Sequence, residues 1–281
     1  MSDTDPTTPP ALDASSSPVT HAAPVAPAQP SDDVALRLDH LVKVFGNTIA
    51  VGDLSLDIPA GSFYGIVGPN GAGKTTSLSM ATGLLRPDRG TAWVHGVNMW
   101  AEPDRAKAML GVMPDGLRLF DRLSAASLIT YTGMLRGIDR ATAAARAESL
   151  IHALGLEEAG SKTVADFSAG MTKKTALACA LVHSPRVLVL DEPFESVDPI
   201  SAATIREILN SVVAGGGTVI LSSHVMETVQ KLCSHVAIFA HGQVVAAGTL
   251  DEVAAGEDLE ARFSQLVGGA RHAEGLEWLQ H

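Results

Sequence analysis

The sequence predicts an α/β fold with a mostly parallel central sheet, an antiparallel β subdomain and an inserted α-helical subdomain. Three observations predict it. Gly68-Pro69-Asn70-Gly71-Ala72-Gly73-Lys74-Thr75 fills every fixed position of a glycine-rich phosphate-binding loop. The loop lies between a buried apolar run, Phe63 to Val67, and a segment from Lys74 to Leu85 with Leu78, Ala81 and Leu85 on one helical face. Val187 to Leu190 is a second apolar run, closed by Asp191-Glu192, as in a central parallel strand with carboxylates at its C-terminal end. Between these two runs, over about 116–166, the texture changes from strands to helices. A strand that feeds a phosphate loop opening a helix is the core of a P-loop NTPase.

Composition bounds the rest. A chain of 281 residues has ample length for a core, and none of its apolar runs approaches the roughly 18 residues that span a bilayer. The N-terminus lacks the basic-then-apolar layout of a secretory signal, so a cytoplasmic protein is expected. The formal charge of −11 argues against nucleic acid as a partner. Cys179 and Cys233, the only cysteines, sit in apolar helical patterns and are expected to be buried reduced thiols.

The elements follow in order. Residues 1–33 are rich in Pro, Ala, Ser and Thr and are expected to form a disordered tail. Leu36 to Phe45 and Ile49 to Ile58 alternate as antiparallel strands about Gly46-Asn47. Pro87 to Gly90 is a turn, Thr91 to Val94 a strand, Pro103 to Leu110 a helix and Gly111 to Asp115 a strand. Ser124 caps a helix to Leu135, Asp139 caps one that stops at Gly155, and Ser168 caps one bearing Ala176, Leu177, Ala180 and Leu181. Asp198-Pro199 opens a helix that Gly215-Gly216-Gly217 stops, and Thr218 to Ser222 is a buried strand. Strand, helix and strand are expected through His235 to Ala247. The main domain is then expected to span 34–250, with 251–281 as a C-terminal helical extension.

The loop's residue types follow from its chemistry. Glycines at 68, 71 and 73 open backbone conformations closed to other residues and bring N–H groups close to phosphate oxygens, beside Pro69, Asn70 and Ala72. The helix that opens at Lys74 adds unpaired N–H groups, and the Lys74 ammonium reaches the outer phosphates. The hydroxyl of Thr75, followed by Thr76, suits Mg²⁺, whose octahedral shell needs a further carboxylate, a role for Asp191. Glu192 would then lie near the terminal phosphate as a base for water. Phe45 has two readings, an aromatic stacking on a purine or a strand-end core residue.

The order of these motifs from Leu36 to Leu250 resembles the ATPase subunit of the ATP-binding cassette (ABC) transporters. Phe167-Ser168-Ala169-Gly170-Met171 stands where that family carries Leu-Ser-Gly-Gly-Gln, Ser196-Val197-Asp198 where it has its D-loop, and His224 where it has its switch histidine. Asp115 stands in place of a glutamine that reaches the metal. The resemblance implies ATP and Mg²⁺ as cofactors and two copies meeting head to tail, each ATP between the Lys74 loop of one chain and Ser168 of the other, with Gly170 and Asp198 also at the nucleotide. It implies Phe45 at the adenine, Glu192, His224 and Lys74 in catalysis, Thr75, Asp191 and Asp115 at the metal, and a polytopic membrane permease as partner. The chain would then be peripheral on the cytoplasmic face of the membrane. The variant positions resemble the bacterial drug- and antibiotic-resistance exporters. A soluble cassette protein of translation or DNA repair is the alternative, although such relatives usually carry two cassettes or a long coiled coil. For Asp115 a plain turn aspartate remains open.

Overall fold

The computed structural model describes residues 33–116 and 118–268. The expected tail, up to residue 32, and residues 269–281 of the expected extension lie outside the described residues.

The chain opens with the long strands β1 (Val34–Phe45) and β2 (Thr48–Pro59), joined across the two-residue turn Gly46-Asn47. Together with β4 (Arg89–Val94) and β5 (Val97–Asn98) they form an antiparallel sheet of order β2-β1-β4-β5. The central sheet has the order β10-β9-β3-β8-β7-β6, from β3 (Phe63–Val67), β6 (Leu110–Met113), β7 (Val187–Leu190), β8 (Thr218–Ser223), β9 (His235–Ala240) and β10 (Gln243–Thr249). All its pairings are parallel except β9 with β10.

Side chains alternate across a strand, and the central strands use both faces. Phe63, Val67, Leu188, Leu190, Val219, Leu221, Val236 and Ile238 belong to one apolar cluster. Their sequence neighbours Tyr64, Ile66, Val187, Val189, Ile220, Ala237 and Phe239 belong to the other. The first cluster is covered by helices: α3 (Ala125–Leu135), α4 (Arg140–Ala153), α5 (Ala169–Leu181), α6 (Pro199–Ala214) and α7 (Met226–Leu232). The second is covered by the antiparallel sheet together with α1 (Lys74–Ala81) and Ala106 of α2 (Pro103–Ala108).

The capped helices start where their cap residues predict. Ser124, Asp139 and Ser168 accept hydrogen bonds from the amides of Ser127, Thr142 and Met171 at 3.2, 3.0 and 3.2 Å. Asp198 accepts from Ile200 and Ser201, ahead of Pro199 at the first helical position. Short 3-10 turns at Glu157–Ala159 and Val164–Asp166 join α4 to α5, and α8 (Leu250–Ala254) and α9 (Leu259–Val267) end the described chain.

Four expectations need correction. Helix α2 stops at Ala108 rather than Leu110, because Leu110 already pairs with Val187 as the first residue of β6. Helix α1 stops at Ala81 rather than Leu85, because Gly83 turns left-handed at φ 72° and the amides of Gly83 and Leu84 turn back to the carbonyls of Met80 and Ser79. Strand β6 ends at Met113, since Pro114 has no N–H to donate and Asp115 lies in a turn. Residues 235–249 form a hairpin rather than strand, helix and strand. Its turn is His241-Gly242, both with positive φ, the conformation that two-residue hairpin turns demand. The helix, α7, precedes the hairpin and makes the crossover that parallel β8 and β9 require. Cys179 is half-buried in α5 and Cys233 is buried after α7. Both are free thiols, which burial pushes up to about 11 and about 12, out of the reactive range.

Candidate functional site

The loops after β3, β6, β7 and β8 leave from the same edge of the sheet, the C-terminal ends of parallel strands where ligands bind in open α/β folds. They border a cleft of 820 Å³ that takes in Phe45, Asn70 to Thr76, Asp115, Glu192 and His224. Residues far apart in sequence are thus brought together. Thr48, Ile49 and Ala50 of β2 add an apolar lip beside Phe45.

Backbone crowding explains the loop glycines. A Cβ at Gly68 would lie 2.5 Å from the Phe239 carbonyl oxygen, and one at Gly73 2.7 Å from that of Ala50, with φ already at 96°. Lys74 is 7% exposed, and its ammonium donates to the carbonyls of Gly68 at 2.7 Å and Pro69 at 3.3 Å. Burial lowers its pKa from the ordinary 10.5, while the carboxylates of Glu192 and Asp191 oppose that shift. Those carboxylates therefore favour the charged form of Lys74.

Asp191 is buried beneath the cleft, at 4% exposure, and does not line it. Its Oδ1 accepts a short hydrogen bond from the hydroxyl of Ser222, and the same oxygen of Ser222 accepts the amide N–H of Glu192 at 2.9 Å. One β8 hydroxyl thus fixes both carboxylate-bearing residues that end β7. The Glu192 side chain turns into the cleft, where its Oε2 lies 3.0 Å from His224 Nδ1. Phe45 is 51% exposed, with the Lys43 ammonium 5.6 Å from its ring centroid and itself held by Asp88 at 2.8 Å.

Ser168, Gly170 and Asp198 do not line this cleft. Ser168 and Asp198 cap α5 and α6, and a Cβ at Gly170 would meet no atom within 4 Å. The fold of one chain therefore has no need of a glycine there. Met171, in the place of the family's glutamine, packs its side chain against the helix-covered core.

Sequence reasoning missed three residues. Ser222 was read only as a strand residue; the signal was a polar Ser222-Ser223-His224 closing an apolar run. Glu195 lines the cleft, and Lys173 of α5 lies 3.8 Å from its carboxylate and 2.6 Å from the Glu192 carbonyl. Neither has a sequence signal of its own.

The oxygen donors here suit a hard divalent cation: the Thr75 hydroxyl and Asp115 on the cleft, with the Asp191 carboxylate beneath it. Among the described residues there is no group of three or more His, Cys, Asp or Glu that could hold a metal ion. No helix among the described residues is long and apolar enough to cross a membrane.

Comparison with known proteins agrees. The family profile described as ABC transporter matches residues 51–195. The chain is 37% identical over 219 residues to the daunorubicin/doxorubicin resistance ATP-binding protein DrrA of Streptomyces peucetius, covering 78% of this chain and 66% of that one. It is 39% identical over 225 residues to the ABC transporter ATP-binding protein NatA of Bacillus subtilis (strain 168), covering 78% and 92%. A solved ATP-binding subunit of an ABC transporter superposes with a TM-score of 0.77 at 27% identity, over 83% of this chain and 99% of that one. With a phosphate loop, a carboxylate-ended strand and a histidine converging on one cleft, the chain belongs to the ABC transporter family, as an ATP-binding and ATP-hydrolysing subunit.

Proposed function

We propose that the chain drives export: two copies close head to tail around two ATP, and a separate polytopic membrane permease converts closing and opening into solute movement. The chain would sit on the cytoplasmic face of that membrane. The observation that carries the reading is the division of the motif residues. Phosphate loop, Glu192 and His224 share one cleft, while Ser168, Gly170 and Asp198 lie outside it and Gly170 has open space beside it. Residues suited to a nucleotide but kept from the cleft of their own chain are suited to the cleft of another. Export is supported by the resistance proteins among the relatives.

In this reading the loop amides and Lys74 hold the phosphates, and Phe45 with the β2 lip receives the base. The Glu192 carboxylate takes a proton from the attacking water, and His224 beside it orients that carboxylate and meets the terminal phosphate. Thr75, Asp191 and Asp115 would hold Mg²⁺, which when bound neutralises charge on the phosphates. The helices α3 and α4 would make up the helical subdomain of about 116–166.

The test is Glu192→Gln, which keeps shape and polarity but removes the base. It is expected to bind ATP with wild-type affinity, to lose at least about a hundredfold in turnover and to accumulate as a dimer in ATP. Steady-state hydrolysis near wild type would sink the role of Glu192. Export is tested separately, by co-purification with a membrane protein of about six apolar spans and by solute efflux from cells that express both.

A further inference from the structure

Glu192 has a left-handed backbone, with φ at 48°, a conformation that a residue with a long side chain adopts only when its surroundings hold it there. Two contacts do so. Its amide N–H donates to Ser222 on the neighbouring strand at 2.9 Å, and its carbonyl oxygen accepts from the Lys173 ammonium at 2.6 Å. Lys173 comes from α5, a different element, and its side chain is only 21% exposed. Its other neighbour, Glu195 Oε2, is 3.8 Å away, a weaker contact than the one to the carbonyl.

The residue held in this way is the one whose carboxylate reaches the cleft and lies 3.0 Å from His224. Turning a peptide carbonyl changes the ψ of its own residue, and a glutamate freed to relax from φ 48° swings its Cα–Cβ bond and with it the carboxylate. We propose that Lys173 is a positioning residue for ATP hydrolysis, a cationic clamp on the Glu192 carbonyl that fixes the strained backbone from which the carboxylate is aimed. Lys173 does not line the cleft, and its effect passes through Glu192. The inference rests on Glu192 being the base proposed above.

The experiment compares Lys173→Met, Lys173→Arg, Glu192→Gln and the double variant Lys173→Met/Glu192→Gln in the full chain. Turnover, KM for ATP, equilibrium binding of a fluorescent ATP analogue and thermal midpoint are read for each. Methionine keeps the stem and removes the donor; arginine restores a donor on a longer side chain. Lys173→Met is expected to lower kcat about tenfold with KM and analogue affinity within about twofold of wild type. Lys173→Arg should recover part of that loss, and the double variant should be no slower than Glu192→Gln alone. Wild-type turnover in Lys173→Met beside an inactive Glu192→Gln would overturn the clamp and leave Glu192 as base. Loss of affinity equal to the loss of kcat, without recovery by arginine, would also overturn it, since that pattern belongs to a damaged fold. An active Glu192→Gln would remove both readings together.

Discussion

Replacing Ser222 by alanine would strip one oxygen from two neighbours at once, because its hydroxyl donates to Asp191 and accepts from the Glu192 amide in a place with no exposure to solvent. A buried donor and acceptor left without a partner cost about 1–3 kcal/mol, so the midpoint of unfolding should drop by several degrees. Turnover should fall further than stability alone explains, and thermal melts alongside steady-state ATPase assays separate the two. Asp115 offers a second residue-level test. As an exposed turn residue on the cleft it has no structural duty, so Asp115→Ala should leave stability unchanged while costing more in turnover than in ATP affinity. Three superimposable Mg²⁺ titrations for wild type, Asp115→Ala and Asp115→Gln would make it a turn residue only. The third concerns His183, whose Nε2 bonds the Leu110 carbonyl at 2.9 Å. Burial lowers its pKa below the ordinary 6.5, and the cations Arg136 and Arg146 add to that shift. The folded protein therefore binds this proton less readily than the unfolded chain. The His183 contribution is complete above pH 6.5 and is lost as pH falls through the depressed value. Midpoints measured from pH 8 to 5 should decline more steeply below 6.5 for wild type than for His183→Gln, and parallel curves would count against it.

At the scale of elements, helix α5 carries two functions on one rod. Ser168 caps its start and Lys173 clamps Glu192 a turn and a half later. If two chains share sites head to tail, their mutants fall into groups. Lys74→Ala should be complemented by Ser168→Arg, since one mixed dimer then keeps one whole site. Lys173→Met should behave as Lys74→Ala does, complementing Ser168→Arg and failing with Lys74→Ala, because both act in the cleft of their own chain. ATPase assays on mixtures at several ratios check this, and no recovery with Ser168→Arg at any ratio would argue against shared sites. Elements were also where the sequence was most and least legible. The caps Ser124, Asp139, Ser168 and Asp198 were readable because a cap and its amides are two or three residues apart. The end of α1 was misjudged because Leu85 continues the apolar pattern of Leu78 and Ala81 past Gly83, which turns left-handed. The 235–249 hairpin escaped because its turn places a histidine at positive φ, which composition does not announce. Ser222 and Lys173 were invisible for a different reason. Their partners lie 31 and 19 residues away and are met only once β7, β8 and α5 are packed together.

For the whole molecule, the two-faced sheet between unequal coverings limits how the chain can vary in length. Adding one residue between Gly65 and Ile66 of β3 would send Val67 to the side of Tyr64 and Ile66 to the side of Phe63, exchanging the clusters beyond the insertion. Adding two would restore the sides but push Gly68 onward by about 6.6–6.8 Å, away from its fit against Phe239. Parity is thus policed by the interior and absolute length by the cleft, so indels in the central strands have no permitted size. The freedom that remains is polar. The turns that lead into strands, such as Gly215-Gly216-Gly217 ahead of β8, lie at the edge opposite the cleft, and a Cβ at Gly216 meets no atom within 4 Å. A short Gly-Ser insertion there should leave ATP turnover within about twofold, whereas the same insertion between Val67 and Gly68 should abolish nucleotide binding. Over generations such a molecule would accumulate its length differences on one pole only, and that pole is where a fluorescent tag or a fused domain can be attached without silencing the motor.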